Sequence, residues 1–365
     1  MREYRIAYFI SPHGFGHSTR AAAVMSALGE RAPFVRFELF THAPQWLFKD
    51  SFSALFNYNS LLTDVGFVQT TSLREDIPKT VESLQKFLPF TPSHLASLAD
   101  VLNRKKCELI VCDIAPMGIA VGQKANIPSI LIENFTWDWI YGKYAHHNTQ
   151  ILRYSTYLET LFKAVDYHIQ TEPVCSYTDA HLTANPISRK MRTPPAQVRE
   201  RLGIPLNVKL AMITMGGVPE HYGFLDELRK EKSIYFLIAG GGKSMKLYDN
   251  LIIVPYQSEF FHPDLINASD MVIGKAGYST LAEVYHAGVP FGYIMRPHFP
   301  ESKVLARYIK KYLNGVQLTE EQFYSGNWKA HLEELCAMPR INRNETNGAD
   351  EVAEFISKFI SNVIK

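Results

Sequence analysis

Glycine-containing loops follow predicted strands at four places, and two of these loops lead into a predicted helix. Residues 6–10 form a short apolar run, followed by Gly14 and Gly16 and by a helix predicted over residues 17–28. In the second half, a predicted strand over 271–273 runs into a glycine loop and a helix predicted over 279–287. This alternation predicts parallel sheets with crossover helices, which excludes an all-helical bundle and a β-sandwich.

The alternation starts again near residue 205, and this restart predicts two domains in the 365 residues. The stretch 172–195 contains four prolines without a helical or strand period, so it is predicted to be a boundary. We therefore expect an α/β protein with two Rossmann-like domains, at 1–170 and 171–349. Residues 350–365 form an amphipathic helix that must pack on another element.

Charge, cysteines and hydropathy exclude several classes of function. The net charge of +2 gives no general signature of nucleic-acid binding. None of the four cysteines has CxxC spacing, so the sequence predicts neither a zinc knuckle nor a disulfide framework, and a cytoplasmic location is expected. No apolar run reaches about 18 residues, the length of a transmembrane helix. Trp46, Phe48 and Phe52 are expected to be buried, with a peripheral membrane contact as the alternative.

Two histidines flank the first glycine loop, His13 and His17. His17 is predicted at the start of a helix and at the carboxyl edge of the sheet, where α/β proteins bind ligands, and a neutral imidazole there can act as a general base. Asp113 ends another predicted strand, so it can accept a hydrogen bond from His17 and fix its tautomer. The alternatives are that His13 only bonds loop carbonyls and that Asp113 caps the next helix.

The loop at 274–280 is the most informative part of the second half. Gly277, Tyr278, Ser279 and Thr280 stand where a strand ends and a helix begins, and exposed N–H groups with small hydroxyls there suit a diphosphate. Glu283 lies one turn into that helix, where its carboxylate can accept bonds from two ribose hydroxyls. Its alternative role is the ordinary interaction of an acidic residue with the helix dipole.

These residues resemble a known motif. The run from Gly277 to Glu283, followed by Ala287-Gly288-Val289-Pro290, is similar to the donor-binding motif of GT-B glycosyltransferases such as the UDP-glycosyltransferases and the lipid II N-acetylglucosaminyltransferase. The sequence His13 to Arg20 also resembles the glycosyltransferase-like domain of plant arabinokinases. The resemblance implies two Rossmann-like domains facing across a cleft, with the final helix crossing back to the N-terminal domain.

The resemblance also implies a set of roles. The donor would be a sugar nucleotide, UDP-linked, bound as substrate with no cofactor and no catalytic metal, and the sugar would be a hexose or an N-acetylhexosamine. His17 and Asp113 would be catalytic. The donor-binding residues would be Gly16, Gly216, Gly217, Tyr256, Gln257, Gly277, Tyr278, Ser279, Thr280, Glu283 and Glu301.

The acceptor would bind to the N-terminal domain and would be a small molecule, a glycan or a lipid-linked hydroxyl compound. Its predicted binding residues follow a strand near residue 132 or lie in the first loop: His13, Glu133, Asn134, Trp137 and Asp138. Tryptophan can stack on sugar rings or apolar acceptors, and a carboxylate can orient a hydroxyl. The other interpretation is that Trp137 packs in the core and Asp138 caps a helix.

Three other functions remain open from the sequence. One is a GT-B epimerase that acts on UDP-N-acetylhexosamine and needs no acceptor. Another is a non-catalytic module that binds a nucleotide sugar. The third is a dinucleotide-dependent reductase, although Gly14-x-Gly16-x-x-Thr19 lacks the third glycine of the dinucleotide motif. A histidine base favours inversion at the anomeric carbon.

Overall fold

A computed structural model describes residues 2–217, 222–242 and 244–364. The described chain alternates strands with helices from end to end, as the glycine loops predicted. The strands are β1 (Tyr4–Ile10), β2 (Val35–Thr41), β3 (Phe56–Ser60), β4 (Gln69–Thr71), β5 (Arg74–Glu75), β6 (Leu109–Asp113), β7 (Ser129–Glu133), β8 (Tyr167–Thr171), β9 (Leu182–Ala184), β10 (Lys209–Thr214), β11 (Ile234–Ala239), β12 (Lys246–Tyr248), β13 (Leu251–Val254), β14 (Met271–Lys275), β15 (Phe291–Ile294) and β16 (Gly315–Leu318).

The helices range from six to seventeen residues. They are α1 (Gly16–Arg31), α2 (Gln45–Ser51), α3 (Ile77–Phe87), α4 (Pro92–Arg104), α5 (Pro116–Ala125), α6 (Trp137–Gly142), α7 (Ile151–Lys163), α8 (Pro195–Arg201), α9 (Leu225–Lys230), α10 (His262–Ala268), α11 (Tyr278–Ala287), α12 (Glu301–Tyr312), α13 (Glu320–Ser325), α14 (Lys329–Ala337) and α15 (Gly348–Ile364).

The first compact unit comprises Met1–Gln69, Glu75–Ser188 and Thr346–Lys365. Its seven-stranded sheet has the order β3-β2-β1-β6-β7-β8-β9, and all neighbouring strands run parallel. The central strands β6 and β7 are buried along their whole length, as expected where helices cover both faces of a parallel sheet. Strand β6 pairs with β1 so that Asp113 lies opposite Ile10, and this register brings the ends of the two strands together.

The second compact unit comprises Thr70–Arg74 and Arg189–Glu345. Its sheet has the order β12-β13-β11-β10-β14-β15-β16, parallel except for the antiparallel pair of β12 with β13. Strand β14 lies next to β10, so the glycine loops that follow these two strands share one edge of the sheet. Both units therefore have the sheet of a Rossmann-like fold.

The first unit extends past the boundary predicted at residues 170 and 171, because two further strands complete its sheet. Strand β8 pairs with β7, and β9 pairs with β8, so the first unit continues to Ser188. The final helix, predicted over 350–365, is α15, and residue 365 lies outside the described residues. It packs on the first unit, where Val352, Ile356 and Ile360 join one core cluster with residues of α1.

The aromatic residues near α2 are mostly buried, as expected. Phe48 and Phe52 lie in the core of the first unit, and Trp46 is half-buried with its ring edge-on to Phe15. No helix within the described ranges combines the length and hydropathy needed to cross a bilayer.

Candidate active site

The loop after β1 and the end of β6 form the centre of the first unit's candidate site. His17 is the second residue of α1, and Asp113 is the last residue of β6. His17 Nδ1 lies 2.9 Å from Asp113 Oδ1, and both residues are buried. The predicted contact between the two residues is therefore confirmed. Their catalytic role remains a prediction.

Arg20 is the third member of this cluster, and the sequence interpretation missed it. Its Nε donates to Asp113 Oδ2 at 2.8 Å, and its Nη2 donates to Asp113 Oδ1 at 2.6 Å. Its Nη1 donates to Asn134 Oδ1 at 2.7 Å. The available signal was spacing, because residues three apart on a helix share one face and Arg20 lies three residues after His17.

The two acid–base groups of this cluster have displaced pKa values. Burial alone would raise the pKa of the Asp113 carboxyl, but the charge of Arg20 and the hydrogen bonds from His17 and Arg20 together hold it below the usual value. Burial lowers the pKa of His17; the hydrogen bond to Asp113 opposes this effect, and the charge of Arg20 adds to it. The neutral imidazole then donates from Nδ1 to the carboxylate, a tautomer assigned from this hydrogen bond, and keeps its lone pair on Nε2.

The structure buries three of the predicted acceptor-binding residues, Asn134, Glu133 and Trp137. Asn134 is fully buried and accepts the hydrogen bond from Arg20. Glu133 is buried and accepts bonds from His168 Nε2 and Gln170 Nε2, each at 2.8 Å. Polar groups at the buried end of β7 must find partners inside the protein, and both side chains have them. Their role in acceptor binding stays a prediction.

Trp137 is likewise fully buried, so no part of its ring is exposed for the predicted stacking on an acceptor. Its indole N–H donates to Asp64, and its ring contacts the rings of His13 and His17. An indole N–H buried in the core needs an acceptor, and Asp64 provides one. The core interpretation of Trp137 is therefore confirmed.

His13 and Asp138 are the two predicted acceptor residues that keep some exposure. His13 is half-buried, and its Nδ1 accepts a hydrogen bond from the Phe67 backbone N–H at 3.3 Å. A side chain at Gly66 would collide with the His13 ring, since a Cβ there would lie 2.6 Å from it. Asp138 is half-buried in the first turn of α6, and burial raises its pKa.

Asp64 is a second buried carboxylate that no sequence pattern predicted. Its Oδ1 accepts from the Val65 backbone N–H at 2.7 Å, and its Oδ2 accepts from Trp137. Burial raises the pKa of Asp64 to about 7, although hydrogen bonds from Ser11, Val65, Trp137 and Gly66 oppose this effect. Asp64 therefore titrates near neutral pH beside the aromatic residues that surround His13 and His17.

In the second unit, the loop after β10 forms the corresponding glycine turn. Gly216 has a φ of +77°, a backbone conformation that glycine adopts without strain. The Tyr256 hydroxyl donates to the Gly216 carbonyl at 2.8 Å, so this residue, which was predicted to bind the sugar nucleotide, supports the turn. Gln257, predicted for the same role, is exposed. Gly217 ends this part of the described chain, since residues 218–221 lie outside it.

Helix α11 begins directly after Gly277, as the motif predicted. Tyr278 and Thr280 are buried in its first turn, and Ser279 is half-buried. Lys275 precedes this turn, and its Nζ lies 3.6 Å from the position that a Cβ on Gly216 would take. Backbone N–H groups at the start of a helix and a nearby ammonium group favour an anion.

Glu283 already has protein partners on both carboxylate oxygens. Oε1 accepts from Arg189 Nε at 3.1 Å and Nη2 at 2.9 Å, and Oε2 lies 2.8 Å from His262 Nδ1. Burial alone would raise its pKa, but the charges of Arg189 and His262 with their hydrogen bonds hold it below the usual value. Ribose binding would therefore use lone pairs that these two residues leave open.

Glu301, the remaining predicted donor residue, is buried as the first residue of α12. Its carboxylate interacts favourably with the helix dipole there. Arg189 and His262 were missed by the sequence interpretation, because they lie far along the chain from the motif and belong to no pattern of their own.

Two Rossmann-like units, each with a glycine turn after its first strand, are the architecture of the GT-B fold of glycosyltransferases. A model of glycosyl transferase family 1 matches residues 4–336, and the chain belongs to this family.

Two curated relatives and one solved structure show the range of similarity. The chain is 27% identical to an L-arabinokinase of Arabidopsis thaliana over 96% of its own length, but it spans only about a third, 34%, of that protein. It is 23% identical to an uncharacterized glycosyltransferase of Methanopyrus kandleri, over 70% of this chain and 77% of that one. The calicheamicin glycosyltransferase CalG4 superposes with a TM-score of 0.65, at 16% identity and full coverage of both chains.

Proposed function

We propose that the protein transfers a hexosyl or N-acetylhexosaminyl group from a nucleotide sugar, UDP-linked, to a hydroxyl acceptor, with inversion and without a metal ion. The acceptor hydroxyl attacks the anomeric carbon while the bond from that carbon to the diphosphate breaks. The hydroxyl proton passes to His17 Nε2, and UDP leaves as the anion. The first unit supplies the base, and the second unit supplies the groups that bind the donor.

The observation that carries this proposal is the buried pair of His17 and Asp113 at the carboxyl edge of the first sheet. A general base must be neutral before it acts, and burial keeps His17 neutral. Asp113 holds the imidazole in the tautomer whose Nε2 can accept a proton. It also stabilises the imidazolium that forms.

The second unit offers groups that favour the leaving diphosphate. The N-terminal turn of α11 presents backbone N–H groups, and Lys275 adds a positive charge next to Gly216. Such groups stabilise negative charge that develops during the reaction, which is the task that a divalent ion performs in other enzymes. The choice of UDP rests on the resemblance of residues 277–283 to the donor motif.

A thermal-shift screen tests donor binding first. The purified chain is heated with UDP, GDP, TDP, ADP and NADH and with their common sugar conjugates, each with and without EDTA. We expect selective stabilisation by UDP or a UDP-sugar that EDTA does not change, because a ligand that binds only the folded state raises the melting temperature. Stabilisation by NADH alone would replace the proposal with a reductase.

Turnover then tests the chemistry. UDP release from the stabilising UDP-sugar is followed with a panel of hydroxyl acceptors, and NMR reports the anomeric configuration of the product. H17Q should abolish most of the release, while H94Q, which changes an exposed histidine of α4 in the same unit, should leave it unchanged. Release without any acceptor, together with an epimerised sugar, would instead identify an epimerase. Binding without release would identify a non-catalytic module.

A further inference from the structure

Arg20 is almost completely buried beside Asp113 and His17, the two residues it assists. Its side chain is 1% exposed, and three of its nitrogens donate to carboxylate or amide oxygens of two residues, Asp113 and Asn134. The two bonds to Asp113 form a fork that contacts both carboxylate oxygens. A guanidinium has a rigid planar geometry that suits this contact, and it stays charged at every pH of interest.

The fork changes what Asp113 does to His17. A carboxylate alone beside a histidine stabilises the imidazolium and so raises the pKa of the ring. Here the positive charge of Arg20 balances the negative charge of Asp113, and Arg20 Nη2 lies 3.3 Å from His17 Nδ1. A protonated His17 would face this second positive charge inside the protein, so the neutral ring is favoured.

Two polar groups beside Asp113, the Cys112 thiol and the Tyr8 phenol, carry no compensating charge. Burial raises the pKa of the Cys112 thiol and that of the Tyr8 phenol well above their usual values, so both stay neutral. A third titratable group, the Asp64 carboxyl, accepts from the indole N–H of Trp137, and burial raises its pKa to about 7. Asn134, Phe135 and Trp137 complete the surroundings from the segment after β7 and from α6. Among the described residues with contacts to His17 or Asp113, the charged side chains are Arg20 from α1 and Asp113 from β6.

We propose that Arg20 is a positioning residue of this site: it clamps Asp113 in one orientation and keeps His17 as the neutral base. The consequence for catalysis rests on the proposed function. The protonation state of His17 does not, because it can be measured without any substrate. Arg20 therefore acts through Asp113 and His17.

Two substitutions separate charge from packing. R20Q removes the charge but keeps an N–H donor for Asp113, and R20K keeps the charge but removes the fork. R199M is the matched control, because Arg199 is a buried arginine of the second unit that pairs with Asp270 at 2.5 Å. All variants are made in the full chain, and the fold of each is checked by circular dichroism.

The measurement is an NMR titration of histidine Cε1–H signals in selectively labelled protein. The His17 signal is assigned as the one that is missing from the spectrum of H17Q. In R20Q we expect the His17 midpoint to move up by about 1 pH unit, the typical effect of a charge within a few ångströms. R20K should stay close to the wild type, and R199M should match the wild type.

Identical His17 titrations in wild type, R20K and R20Q would overturn the proposal, since a purely structural arginine would give that result. If R20Q does not fold, R20K decides alone, because a clear upward shift despite the retained charge would contradict the electrostatic argument. A shifted titration in a protein that turns over no nucleotide sugar would uphold the role of Arg20 and reject the proposed function.

Discussion

Each unit of the protein contains a buried carboxylate between an arginine and a histidine, and the two clusters differ in geometry. In the first unit, Arg20 spans both oxygens of Asp113 and shares Oδ1 with His17. In the second unit, Arg189 donates through Nε and Nη2 to Oε1 of Glu283, and Oε2 lies 2.8 Å from His262 Nδ1.

The two histidines also differ in exposure. The side chain of His17 is 10% exposed, and that of His262 is 30% exposed. An arginine, a carboxylate and a histidine thus build a closed cluster in the first unit, around His17, and a more open cluster in the second unit, around His262. A closed cluster controls the protonation of its histidine, while an open one presents the ring to a ligand. Geometry rather than residue type separates the proposed base from the proposed binding group.

The largest expected difference between the two clusters is in turnover. H17A should lower kcat by about 100- to 10,000-fold, the typical contribution of a general base, and should leave UDP binding nearly intact. H262A should act mainly on the KM for the donor, because His262 belongs to the proposed donor-binding unit. Steady-state kinetics with calorimetric UDP titrations measures both. Equal losses of kcat in the two variants would remove the distinction between the clusters.

Both clusters should be important for stability. D113N and E283Q each leave a buried arginine without its counter-charge, so each should lower the free energy of unfolding by about 3–5 kcal/mol. D270N is the control, because Asp270 pairs with buried Arg199 but its own side chain is 27% exposed, and its effect should be smaller. Urea denaturation followed by circular dichroism measures all three. A loss in D270N as large as in the other two would show that burial of the carboxylate does not set the cost.

Asp64 should give the first unit a pH dependence of its own. In the unfolded chain its carboxyl ionises near pH 3.9, and in the folded chain its pKa is about 7, so the folded state binds more protons between these values. Stability from this residue is therefore present at low pH and is lost as the pH rises through 7.

The substitution D64N removes this titration. Relative to D64N, the wild type should lose about 3 kcal/mol of unfolding free energy between about pH 5 and about pH 8. The loss is about 1.4 kcal/mol for each pH unit below the folded pKa. Urea denaturation at the two pH values measures the difference. Parallel pH dependences of wild type and D64N would show that Asp64 is ionised throughout this range.

The smallest expected effects concern the two glycine turns. Gly14 and Gly216 have φ values of +68° and +77°, so alanine at either position should cost about 1–2 kcal/mol of stability. A Cβ at Gly14 meets open space, and one at Gly216 makes only an ordinary contact with Lys275, so the two costs should be similar. Gly223, which has open space and no positive φ, is the control, and G223A should change little. A clearly larger cost for G216A would indicate a tighter turn in the second unit.

The sequence was sufficient for the parts of the protein that follow from strand order. The carboxyl ends of adjacent parallel strands meet, so Asp113 could be placed beside His17 without coordinates. The glycine turn before α11 and the amphipathic final helix were predicted from periodicity and local backbone conformation, both of which are visible in a single sequence. The packing of that helix on the first unit was implied by the resemblance to GT-B glycosyltransferases.

The partners of the site could not be predicted in this way. Arg20 stands in the first turns of an alanine-rich helix, where an arginine usually faces solvent, and only the packing of α1 against β6 turns it inward. Asp64 lies in an irregular loop and meets Trp137 across 73 residues of chain. The burial of Glu133, Asn134 and Trp137 could not be predicted for the same reason, since the demand of buried polar groups for partners depends on tertiary structure.

The placement of α15 has a consequence for the order in which the protein is made. The first unit needs Ala349, Val352, Ala353, Ile356 and Ile360 in its core, and these residues are synthesised after the whole of the second unit. A ribosome that has reached residue 345 has thus produced both sheets, but one apolar face of the first unit still lacks its cover. The core of the first unit is therefore completed only after residues 346–365 have been made, whereas every residue of the second unit precedes them.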